Sequence, residues 1–107
     1  ASRGQVGMAS DQLNRVKDNV VLEVQTARLN LLQALEQVKL TGNSLEKAKE
    51  NETKALERYG EGKTSILEVI DAQTYRENSQ LNYVQAKTEA QSYYSGLIKA
   101  LNAYESL

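Results

Sequence analysis

Apolar and small residues recur along the first half of the chain at alternating steps of three and four. They are Leu13, Val16, Val20, Val24, Ala27, Leu31, Ala34, Val38, Thr41, Leu45, Ala48, Glu52, Ala55 and Tyr59, and only Thr41 and Glu52 depart from the pattern. This spacing holds one stripe on one side of a helix for many turns, the arrangement of a coiled-coil seam. It predicts a first helix over about residues 10–59, with Ser10 or Asp11 as N-cap. Residues Ala1 to Gly7, with two glycines and only Val6 as a large apolar residue, read as a frayed end. The same stepping resumes at Val69, Ala72, Arg76, Ser79, Tyr83, Ala86, Ala90, Tyr93, Leu97, Ala100 and Tyr104, which predicts a second helix over about residues 66–105. Small residues fill much of this second seam and let two backbones approach closely. The second helix is shorter, so the first should overhang it.

The punctuation between the helices is Tyr59-Gly60-Glu61-Gly62-Lys63-Thr64-Ser65. Either Gly60 or Gly62 can take the left-handed conformation that ends a helix. Ser65 with Glu68 three residues later has the Ser-x-x-Glu form of a capping box, a helix start. The expected fold is all-α, a long antiparallel α-helical hairpin of coiled-coil type turning once over about residues 60–65. One alternative comes from Thr41-Gly42-Asn43-Ser44. Glycine inside a helix costs about 1 kcal/mol relative to alanine, and Asn43 with Glu46 has the spacing of a second capping box. A break there would give a three-helix bundle. The seam runs through 38, 41, 45 and 48 without a slip, which favours a continuous helix.

Further apolar positions lie off the main seam. Leu22, Leu29, Leu32, Leu35 and Leu40 do so in the first helix, and Ile66, Ile70, Leu81, Val84, Ile98 and Leu101 form a second stripe in the other. A two-stranded coiled coil needs one seam. Two imply neighbours on two sides, as in a bundle or closed barrel of helices. A lone hairpin is therefore expected to self-associate through Leu22, Leu29, Leu32 and Leu35.

Composition narrows the function. The 107 residues suit one domain; there is no Pro, Cys, His, Trp or Phe. Without Cys or His, the usual zinc sites, thiol nucleophiles and Ser-His pairs are excluded. No cofactor, metal or enzymatic activity is expected. Gly60-Glu61-Gly62-Lys63-Thr64 lacks the full spacing of a phosphate-binding loop and follows a helix rather than a strand. Thirteen basic and 14 acidic residues give a net charge of −1, with no electrostatic pull toward nucleic acid or an acidic membrane surface. No stretch approaches the roughly 20 apolar residues that span a bilayer. No secretory signal is present either, so export would require one that was removed or lies outside the sequence.

Glu57-Arg58-Tyr59-Gly60-Glu61-Gly62-Lys63-Thr64-Ser65-Ile66-Leu67-Glu68-Val69-Ile70-Asp71-Ala72-Gln73 closely resembles the tip of the TolC-like outer-membrane efflux family. Members carry Tyr-x-x-Gly, a short spacer and an acidic-Val-Leu/Ile-Asp-Ala-Gln run. Leu81-Asn82-Tyr83-Val84-Gln85-Ala86 is similar to the family's returning helix. Leu22 to Leu31, with Glu23-Val24-x-x-Ala27-x-x-x-Leu31, is similar to its descending helix. The resemblance covers about residues 11–103. It implies a periplasmic hairpin, one segment of a helical-barrel conduit, in a trimeric outer-membrane protein whose membrane-embedded segments lie outside this sequence. The tip would dock a periplasmic adaptor protein that connects to an inner-membrane pump. By the same resemblance Tyr59 and Gly62 match the tip tyrosine and glycine, and Glu68 and Asp71 match two acidic positions that form constricting, cation-binding rings at a gate. Thr64 stands where some members carry an arginine that links helices, so a lock of that kind is not expected here.

Local roles compete with each of these. Glu68 can serve simply as the capping partner of Ser65. Asp71 gains about 0.3–1 kcal/mol from the helix dipole with no gate required. Tyr59 can merely cover a helix end. Two other functions also fit a hairpin: the coiled-coil hairpin of an adaptor (membrane fusion) protein, whose Arg-Leu-Ser tip pattern is missing here, and a generic coiled-coil scaffold.

Overall fold

The computed structural model describes the backbone from Ser2 to Leu107 and the side chains from Gly7 onward. It has two helices, α1 (Ser2–Gly60) and α2 (Ile66–Glu105), joined by one turn, and no strand among the described residues. The fold is all-α, a helical hairpin. No helix is long and apolar enough to cross a membrane among the described residues.

Two expectations about α1 resolve differently. The helix begins at Ser2 rather than near Ser10, so Ser10 and Asp11 lie inside it and cap nothing. The physical reason is the lack of any proline to stop the helix upstream, and glycines alone only tax it. The helix also passes through Gly42 and Asn43 unbroken, which removes the three-helix alternative.

The chain forms two compact units. One is Ala34–Ala90, which carries the turn. Its contacts Gly42–Tyr83, Glu52–Arg76 and Arg58–Glu68 step evenly away from the turn, as antiparallel packing requires. Its core is the predicted seam. Ala34, Leu45, Ala48 and Ala55 on α1 and Val69, Ala72, Ala86 and Ala90 on α2 are buried, with Ser79 the buried polar residue beside them. Ala48 has no exposed surface at all. With alanine at so many seam positions the helix backbones are in close contact, and only small side chains fit between them. Ala55, Val69 and Ala72 form one buried cluster just below the turn.

The polar seam positions are satisfied in two ways. The Thr41 hydroxyl donates to the Gln37 and Val38 carbonyls of its own helix, at 2.8 and 3.2 Å. Glu52 instead meets Arg76, whose Nε donates to Glu52 Oε2 at 2.6 Å while a terminal guanidinium nitrogen donates to Gln80 Oε1 at 3.1 Å. The two side chains keep only 21% and 27% of their surface exposed. The hydrogen bond to Glu52 raises the arginine's pKa against the opposing effect of desolvation, so the guanidinium keeps its charge. The one charged break in the first stripe is thus matched by the one charged break in the second.

Gly42 has a packing role. A Cβ built there would sit 3.2 Å from Cε2 of Tyr83. The glycine lets the tyrosine ring lie against the α1 backbone, which offsets its poor helix propensity. Lys87 Nζ covers the ring, 4.5 Å from its centroid.

The second unit comprises Ala1–Gln33 and Gln91–Leu107. Here Val20, Val24, Ala27 and Leu31 on α1 and Leu97 and Ala103 on α2 are half-buried, and Ala100 is buried. Leu13 and Val16, in phase with the stripe, are exposed. Tyr93 and Tyr104 are also exposed, and Ala103 takes the seam position expected of Tyr104.

Candidate functional site at the turn

The turn is built by a single glycine. The Lys63 amide donates to the Arg58 carbonyl at 2.8 Å and the Gly62 amide to the Tyr59 carbonyl at 3.0 Å. These are the six-to-one and five-to-two bonds of a Schellman motif, with Gly62 as the left-handed C′ residue. Its φ of +74° fits that role. Gly60 remains helical, which decides between the two glycines.

Ser65 directly precedes α2, and its carbonyl accepts from the Glu68 amide at 3.2 Å. The two side-chain bonds of the expected capping box are not formed among the described residues. The Glu68 carboxylate lies 3.5 Å from the Arg58 guanidinium across the hairpin. An arginine within reach offers a full charge, where the Ser65 amide offers only a dipole. Lys63 Nζ lies 2.9 Å from Glu61, an exposed pair at the apex. Thr64 is half-buried and Tyr59 exposed.

Glu68 and Asp71 open into one groove of about 260 Å³, shared with Asn51, Lys54, Ala55, Arg58 and Ala72. The structure therefore brings both acidic positions together and adds two cations, Lys54 and Arg58, that sequence reasoning missed. Their signal was available, because Arg58 precedes the turn by the same few residues by which Glu68 follows it. Around the apex Leu56, Tyr59, Ile66, Leu67 and Ile70 are exposed. Apolar groups ringed by ion pairs suit contact with another protein more than chemistry on a small molecule. A larger groove of about 520 Å³ lies in the other unit, among Leu22, Ala27, Tyr93, Gly96, Ala100 and Ala103. No group of three or more acidic, His or Cys side chains that could hold a metal occurs among the described residues.

A family model described as outer membrane efflux protein matches residues 1–103. The chain belongs to the outer membrane efflux protein family. Outer membrane efflux proteins are transport conduits rather than enzymes. Neither the curated proteins nor the solved structures give a match to the chain.

Proposed function

We propose that this hairpin is a periplasmic segment of the tunnel wall in a trimeric outer-membrane efflux conduit. Its turn docks a periplasmic adaptor, which links the conduit to an inner-membrane pump, and narrows the tunnel entrance. The observation that carries the reading is apolar surface left over after the seam is filled. Leu22, Leu29 and Leu32 in one unit, beside a half-buried seam, and Leu35, Leu40, Leu81 and Val84 in the other, beside a packed one, are exposed. A wall of helices supplies a neighbour on both sides of each helix, and such surface is what those neighbours bury. The apolar apex, from Leu56 to Ile70, supports docking. Glu68 and Asp71 in their groove support a gate.

The gate is tested in the full-length parent protein reconstituted in planar bilayers. The double charge reversal Glu68→Lys with Asp71→Lys is expected to weaken block by La³⁺ by about tenfold or more, because two carboxylates per hairpin become repulsive. Unchanged block and unchanged conductance would remove the gate from the account.

A further inference from the structure

We propose that Arg58 masks Glu68, so that cation binding at the tip is set by Asp71 until Arg58 moves. The inference rests on the gate reading above and adds a specificity-determining residue to it. Four charged side chains line the groove: Lys54 and Arg58 from α1, and Glu68 and Asp71 from α2. The groove as a whole is therefore electrically balanced, not anionic. Within it the partnership is uneven. Arg58 reaches to 3.5 Å of Glu68, while no ion pair of 4 Å or less involves Asp71 among the described residues. A cation approaching Glu68 meets a guanidinium already seated there.

The pair is easily opened. Its side chains are 55% and 48% exposed. Exposed pairs of this kind contribute little to stability and exchange readily with solvent ions. Arg58 also anchors the turn from the last helical residues before it, since its carbonyl accepts the closing bond from Lys63. A partner that draws the guanidinium away, for instance with a carboxylate of its own, would leave Glu68 free beside Asp71. The groove would then change from neutral to anionic without any rearrangement of the helices. Arg58 so placed couples occupancy of the tip to its affinity for cations.

The experiment measures La³⁺ block of the full-length parent channel in planar bilayers, with unblocked conductance recorded alongside. Arg58→Gln should tighten block by roughly three- to tenfold, the effect of removing one positive charge next to the binding carboxylate. Arg58→Lys keeps the charge and should block like wild type, which separates masking from a folding defect. In an Arg58→Gln, Glu68→Gln protein the gain should vanish. If Arg58→Gln leaves block unchanged while Glu68→Gln with Asp71→Asn weakens it, the gate stands and the masking role is overturned. If Arg58→Gln alters unblocked conductance but not block, Arg58 acts as a staple of the turn, and masking is again overturned. If block ignores the carboxylates altogether, gate and mask fall together.

Discussion

Replacing Ala48 with leucine is expected to cost the hairpin about 1–3 kcal/mol or more, because the added isopropyl group has no space to enter. Ala48 is fully enclosed, and the buried residues around the same part of the seam, Leu45, Ala55, Ala72 and Ser79, are mostly small. Small residues on both helices hold the backbones close, so a larger side chain must push them apart rather than rotate into a gap. Each kcal/mol lost lowers the melting temperature of a domain this size by roughly 4–8 °C. Thermal unfolding followed by circular dichroism reads this directly. Asn43→Ala, one of the exposed positions on the same helix, serves as the comparison and should hold or raise the melting temperature. A melting temperature unmoved by Ala48→Leu would mean that the seam is looser than its burial implies.

The second large effect separates the two glycines of the turn. Gly62→Val should destabilise by more than the roughly 1–2 kcal/mol that a left-handed residue costs, since β-branched side chains tolerate φ > 0 worst. The cost is conformational alone, because a Cβ at Gly62 would meet nothing within 4 Å. Gly60→Ala should do the opposite. Gly60 is helical with open space around its missing Cβ, so alanine should stabilise by about 0.5–1 kcal/mol. Denaturant midpoints of the two variants against wild type give the answer. Equal and opposite results at the swapped positions would contradict the Schellman assignment of Gly62.

Most of the fold was legible because it depends on spacing. The three-four stepping from Val20 to Ala55 marks residues that are buried or half-buried, and the unbroken phase through Gly42 correctly outweighed the glycine. Periodicity reports which side of a helix is apolar. It does not report what faces that side, so Leu13 and Val16 continue the stripe yet stay exposed. The start of α1 was missed because Ser10-Asp11 looks like a cap wherever it occurs, and a cap matters only where a helix stops. At the turn, Gly60 and Gly62 are equivalent in sequence and are told apart only by the closing hydrogen bonds. The Ser65–Glu68 spacing suggested a local bond. A tertiary partner, Arg58, took the carboxylate instead. Glu52 and Arg76 were both legible as charged seam positions, but pairing them requires the register of two antiparallel helices, which the turn geometry sets.

The most direct test of the tunnel-wall reading is cysteine labelling of the outward leucines. Leu29→Cys and Leu40→Cys, made singly, sit on exposed apolar surface in the hairpin, whereas Glu61→Cys sits at the apex. A maleimide reagent should label all three in the isolated hairpin at concentrations low enough to keep it monomeric. In the assembled parent protein the two leucine positions should become protected by neighbouring helices, with Glu61→Cys still reactive. Equal labelling of Leu29→Cys and Leu40→Cys in both states would contradict the account, because those surfaces would then have no neighbours to bury them.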